Sequence, residues 1–385
     1  MATTQAEPGT ELVLEVEAIG ELISRLRGRG YEVIGPTRRD GAIVYDSIET
    51  VEDLPVGWTD EQAPGKYRLK KCEDGALFGY TLGPHSWKRF LHPPEVRLFQ
   101  IENSSDGFRI VNSAAAQAPP KYAFFGVRAC ELAAISLQDR ILIGDKYTDA
   151  IYADRRREVF IVAVQCAQAS ANCFCTSMGA GPQVKEGFDI VLTEVSDDGR
   201  HFFVAAVGTP AGAELLTEIG AKKAPAEAVK QADKAVDGAV AMITKRLEMS
   251  GVRELLYEQV ESARWDDVAR RCLTCGNCTM VCPTCFCVTV DDASDFSGES
   301  AERWRRWDSC FTQSFSYIHG GSVRLSPKSR YRQWLTHKLA AWQDQFGSSG
   351  CVGCGRCITW CPAGIDITEE VATIRDGAHA AAARE

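Results

Sequence analysis

The chain of 385 residues has no uninterrupted apolar run approaching 18 residues, so no membrane-spanning helix is expected. Its first ten residues, MATTQAEPGT, hold neither a basic region nor an apolar core. No twin-arginine pair precedes an apolar run either, so no export signal is expected and the chain reads as cytoplasmic. Basic residues are too few for a nucleic-acid partner: 43 Lys and Arg face 52 Asp and Glu, a net charge of -9. There is no GxGxxG after a strand and no GxxxxGK[ST], so no phosphate-cradling loop is legible. No Ser-His-Asp arrangement is legible either. What the sequence does have is cysteine, 16 in all. In a chain without a secretory signal, that number points to metal or redox chemistry.

Eight of these cysteines fall in two matched runs. The first is Cys272-x2-Cys275-x2-Cys278-x3-Cys282-Pro283, and the second is Cys351-x2-Cys354-x2-Cys357-x3-Cys361-Pro362. Each proline lacks a backbone N–H and ends the turn. Gly276, Gly353 and Gly355 allow the backbone to come close to a bound group. Structural zinc takes four ligands, usually as separated cysteine pairs, and fits these runs poorly.

The runs resemble those of two-cluster ferredoxins, in which three cysteines of a run bind one [4Fe–4S] cluster and the fourth binds the other. Carried over, the resemblance implies one cluster on Cys272, Cys275, Cys278 and Cys361. It implies a second on Cys351, Cys354, Cys357 and Cys282. The 68 residues between Cys282 and Cys351 would be a large insertion in a helical, ferredoxin-like domain. Its stretch SRYRQWLTHKLAAWQDQF reads as a helix with Trp334, Leu335, Leu339 and Trp342 on one face. Cys285, Cys287 and Cys310, also in the insertion, read as inert or as lining a cluster pocket.

The remaining residues, 1–250, read as a mixed α/β domain, and 251–385 as the two-cluster domain, an α+β or α/β class overall. Residues 11–29 have helical spacing. YEVIGP and GAIVYDSI read as a strand pair, and KYRLKK and ALFGYTL as another split at Asp74-Gly75. Residues 83–94, with Lys88, Arg89 and His92 beside Trp87 and Phe90, read either as a cationic loop facing an anionic group or as a turn with snorkelling basic side chains. KYAFFGV and VFIVAVQC read as buried parallel strands joined through the helix ELAAISLQDRIL. That places Cys130 and Cys166 at the C-terminal ends of strands, where ligands of open α/β sheets bind. Cys173 and Cys175 follow in a glycine-rich loop. These four thiols, Cys130, Cys166, Cys173 and Cys175, are candidates for a third [4Fe–4S] cluster. FDIVLTEV and HFFVAAV read as a hairpin, and residues 211–250 as two surface helices.

The stretches SWKRFLHPPE, FGVRACELAA, NCFCTSMGAGP, CTMVCPTCFCV, RRWDSCFTQSFSYIHGG and CVGCGRCITWCPAGIDI resemble the β, iron–sulfur, subunit of cytoplasmic heteromeric [NiFe]-hydrogenases of the sulfhydrogenase type. They are also similar to the electron-transfer subunit of anaerobic sulfite reductases. The resemblance implies an electron-transfer subunit and not a catalytic one. Its implied partners are a flavin- and NAD(P)H-binding γ subunit, where the flavin would sit, and the [NiFe] small and large subunits. Cys72 has no assigned role, and His92 stands where the family often has an aromatic residue. A different reading gives the N-terminal domain its own flavin or substrate, in a pocket between residues 83–94 and the sheet edge at Cys130 and Cys166.

Overall fold

The computed structural model describes residues 7–113, 118–144, 146–197 and 199–382. The main sheet has eight strands. From edge to edge they are Lys222–Lys223, Glu11–Glu15, Arg200–Val207, Ile190–Asp197, Phe160–Val164, Tyr122–Val127, Glu32–Arg39 and Ala42–Ser47. The centre is parallel: Tyr122–Val127 pairs with both Glu32–Arg39 and Phe160–Val164, and the latter pairs with Ile190–Asp197. Every residue of YAFFGV and of FIVAV is buried, as strands covered on both faces require. The helix Ala129–Leu142 leads out of the first of these strands. The expected strand–helix–strand unit is present, and the hairpin of Ile190–Asp197 and Arg200–Val207 is antiparallel as read.

Two local expectations fail. Residues 11–29 are not one helix: Glu11–Glu15 is a strand and the helix begins at Glu17. Leu12 and Leu14 alternate with exposed Glu11 and Glu15, and the strand is held by antiparallel pairing to residues 202–206, far along the chain. KYRLKK does pair, but with Trp58–Ala63 across a Pro64-Gly65 turn, and ALFGYTL is not a strand. The amides of Leu77 and Phe78 donate to the Glu194 carboxylate at 2.6 and 2.8 Å, so a side chain satisfies them in place of a ladder.

Of the two helices expected in 211–250, Pro210–Glu218 and Ala226–Met242 form. Ala228, Ala232, Val236 and Ala239 of the second are buried at helical spacing, so it lies on the sheet with one apolar face.

The insertion is not wholly helical. Val288–Ser294 and Ser300–Trp307 form a hairpin that extends a second sheet through Glu95–Ser104 to Gly107–Ser113. A sheet therefore crosses the division at residue 250 and ties the insertion to the N-terminal half. The SRYRQWLTHKLAAWQDQF stretch is helical, with Ser326 capping Pro327–Thr336 by accepting from Ser329 N at 3.1 Å. It is interrupted by a π turn at His337–Ala341 before Trp342–Phe346. Trp334, Leu335, Leu339 and Trp342 are buried, as their spacing predicts.

Candidate metal centres

Cys272, Cys275, Cys278 and Cys361 line one cavity, with Phe311, Tyr331 and Trp334 behind them. Cys357 of the second run also lines it. Each run turns through residues with left-handed backbone: Thr274 and Gly276 in the first, Gly353 and Gly355 in the second. Backbone amides point at sulfur: Thr274 N at Cys272 Sγ (3.4 Å), Gly353 N at Cys351 Sγ (3.5 Å) and Ile365 N at Cys361 Sγ (3.4 Å). Such bonds stabilise thiolates and tune whatever they ligate.

The second set, Cys351, Cys354, Cys357 and Cys282, is also mutually close. Burial raises the Cys357 thiol well above its ordinary value, and Cys351, Cys354 and Cys282 raise it further. Burial pushes Cys351 up to about 12 against the opposing effect of the Lys338 ammonium. Cys282 is lowered instead, by the adjacent Cys285 thiol and by Lys338.

The third set meets as the topology predicts. Cys130, Cys166, Cys173 and Cys175 line one cavity with Arg128, Tyr80 and Gln168. Cys130 lies in the first turn after Tyr122–Val127, and Cys166 two residues after Phe160–Val164. The loop carrying Cys173 and Cys175 is clamped to the second run. Phe174 N donates to Gly353 O (2.9 Å), and Asn172 Nδ2 to Thr359 Oγ1 (2.8 Å). A Cβ on Gly353 would stand 2.6 Å from the Phe174 backbone, and one on Gly355 2.5 Å from Asn172 O, so only glycine permits this contact. In consequence Cys354 also lines the third cavity. Burial raises the Cys130 and Cys173 thiols, the latter to about 11.

Among the described residues, no three His, Cys, Asp or Glu side chains converge tightly enough to hold one metal ion. The first and third sets each line a cavity. Tetrahedral zinc would draw four sulfurs to about 2.3 Å from one atom, whereas a cubane is held by thiolates at separate corners. Buried thiols such as Cys357, Cys351 and Cys130, which burial and neighbouring thiols hold protonated, also need a positive core before they can ionise together. The donor sets fit [4Fe–4S] clusters on both counts.

Residues 271–365 match the family described as the 4Fe–4S dicluster domain. The C-terminal part of this chain is a 4Fe–4S dicluster domain. Over 367 residues the chain is 28% identical to sulfhydrogenase 2 subunit beta of Pyrococcus furiosus, covering 94% of this chain and 98% of that protein. That is the subunit type the sequence motifs resemble. No solved structure matches the chain. Among the described residues, no helix is long and apolar enough to cross a membrane.

The walls of the dicluster domain hold residues that the motifs alone did not point to. Arg356, 1% exposed, donates to Gly83 O (2.9 Å) and to Glu131 Oε1 (2.6 Å). Glu131 also accepts from Tyr45 Oη, Trp87 Nε1 and the Arg128 amide. This buried ion pair joins the second run to the helix that carries Cys130. A signal was present, since Arg356 stands where the first run has Asn277. Lys88, from the 83–94 segment, turns inward and donates to Cys282 O and Cys285 O, both at 3.0 Å. Lys88 therefore neither snorkels to solvent nor meets an anionic group here, since its partners are backbone carbonyls. Cys285 sits against Cys282 of the second set, and Cys287 against Cys310, which also lies near Cys278 of the first. Cys72 lines neither of these cavities, and its thiol donates to Asp74 Oδ1 at 3.1 Å.

Proposed function

We propose that the chain is the iron–sulfur electron-transfer subunit of a cytoplasmic hydrogenase complex, holding three [4Fe–4S] centres in a row. The outer centre takes Cys272, Cys275, Cys278 and Cys361. The middle one takes Cys351, Cys354, Cys357 and Cys282, and the inner one Cys130, Cys166, Cys173 and Cys175. One observation carries the reading: the second cysteine run serves both neighbouring cavities, giving Cys357 to the wall of the outer and Cys354 to the wall of the inner. Bound in such sites, clusters of this type exchange one electron at a time.

The residues of the chain hold, space and insulate these centres. The Arg356–Glu131 pair fixes the inner wall against the middle run, and the clamp from Asn172 to Thr359 keeps the two at a set spacing. The turn at Pro64-Gly65 closes the remaining side, with Gly65 N on Ile358 O at 3.0 Å and Tyr67 stacked on Trp360. Similarity to a sulfhydrogenase beta subunit along nearly the whole chain favours a hydrogenase over a sulfite reductase. The partners we assign are a flavin- and NAD(P)H-binding subunit and a [NiFe] catalytic pair.

Low-temperature paramagnetic resonance of the dithionite-reduced, anaerobically isolated complex tests this. Three interacting centres are expected in the unsubstituted protein. The double substitution Cys173→Ser and Cys175→Ser should remove the inner contribution and leave the other two. A spectrum unchanged by that substitution would remove the inner centre from the reading.

A further inference from the structure

The core-facing side of the helix after Pro327 is apolar at Trp334, Leu335, Leu339 and Trp342, yet Lys338 stands among them with 5% of its surface exposed. Burying an ammonium is costly unless its donors are all met. Here they are. Lys338 Nζ reaches Gly350 O at 3.1 Å, Thr284 Oγ1 at 3.2 Å and Cys282 Sγ at 3.3 Å, with Cys285 Sγ at 3.7 Å.

The backbone is built to hold it there. The π turn His337–Ala341 puts an extra residue into the helix at this point, a device that often marks functional positions. The carbonyl of Lys338 is tied to the loop before Cys351, accepting from Gly350 N (2.8 Å) and Ser349 Oγ (3.3 Å). Gly350 packs on the Trp342 ring so closely that a Cβ would lie 2.7 Å from it. Both ends of Lys338 are thus fastened between Cys282 and Cys351, two cysteines from different runs that the proposed middle centre shares.

Two other nearby cations are spent differently. Lys88 gives its protons to the Cys282 and Cys285 carbonyls and lies over the Trp307 ring at 3.9 Å. Arg330, nearest the outer set, donates to Phe311 O and Leu325 O. Of the two buried ammonium groups here, Lys338 is the one that reaches a cysteine sulfur, while the Arg356 and Arg128 guanidiniums lie beside Cys354 and Cys166.

We propose that Lys338, acting through the Cys282 sulfur, raises the potential of the middle centre. The inference rests on the three-centre reading. A reduced cluster carries one more negative charge than an oxidised one, and a fixed, buried cation beside a ligand sulfur favours the more negative state. The chain would thereby make its central site easier to reduce, without any change of ligand.

The test is a redox titration of the intact complex, followed by low-temperature paramagnetic resonance, for the unsubstituted protein and for Lys338→Met, Lys338→Gln and Lys338→Arg. The Met and Gln variants should disfavour reduction of one centre by at least tenfold, which is about 59 mV in a one-electron couple. The other centres should keep their midpoints, and Arg should restore the shifted one. Unchanged midpoints in Met and Gln variants that keep their iron would overturn the assignment, as would an equal shift of every centre. Should both neutral variants lose iron, the unsubstituted protein labelled with 15N-lysine decides. A nitrogen coupling on one reduced centre supports Lys338, and none overturns it. Absence of any paramagnetic centre in the unsubstituted protein would overturn the iron–sulfur reading itself, whereas intact signals with unmoved midpoints overturn only the role of Lys338.

Discussion

The two cysteine runs share one spacing and meet different surroundings. In the first, Cys275 is exposed and Leu273 beside it is 67% exposed. In the second, Val352 and Arg356 are buried, and the loop of Cys173 and Cys175 covers the turn. Residue choice follows from this. At the left-handed position after the first cysteine, the open run carries Thr274 at φ 51° and the covered run Gly353 at φ 66°. The residue just before the third cysteine diverges in the same way, Asn277 in the open run against the ion-paired Arg356 in the covered one. A repeated ligand motif supplies two similar cups. The chain around each cup decides which one is left open and which one is sealed inside.

Breaking the covered side should have the largest effect. Arg356→Met leaves Glu131 as a buried charge without its partner and should lower stability by about 3–5 kcal/mol in urea unfolding. The matching change in the open run, Asn277→Ala, should stay within about 0.5 kcal/mol. Equal losses would erase the distinction between the runs. Next in size, Gly353→Thr copies the open run into the covered one. It drives a side chain into the Phe174 backbone and should cost about 1–3 kcal/mol, measured in the same way. The reverse exchange, Thr274→Gly, relieves a left-handed threonine. It should stabilise by about 1 kcal/mol or less, since glycine gains freedom in the unfolded chain.

The smallest contrast is in pH. His92, packed beside Arg305 and Lys88, has both ring nitrogens buried without partners, and burial with the nearby Arg305 lowers it to about 4. Between pH 6.5 and 4 the unfolded chain binds a proton that the folded chain refuses, so this stability is present above 6.5 and is lost as pH falls toward 4. His92→Phe should flatten that part of the slope in melting experiments. An unchanged slope would show that His92 takes up its proton without cost.

Much of this was legible from local sequence. The matched spacing marked eight cysteines, and two fully apolar runs, each ending near a cysteine, marked the parallel strands that gather Cys130 and Cys166. What was not legible depends on distant partners. Glu11–Glu15 shows its strand character only against Phe202–Ala206, and KYRLKK finds its partner upstream because Glu194 occupies the amides of Leu77 and Phe78. The pairing of Ser300–Trp307 with Glu95–Ser104 joins segments some 200 residues apart, for which neither carries a local signal. Arg356 and Lys338 were visible as charges in apolar company, but their partners, Glu131 and Cys282, become known only when the chain has folded.

Iron and acid-labile sulfide per chain, measured on the anaerobically isolated intact protein, test the central claim most directly. Three centres in a row predict about twelve irons and as many sulfides. A value near eight would remove the inner centre, and zinc in place of iron would contradict the account as a whole.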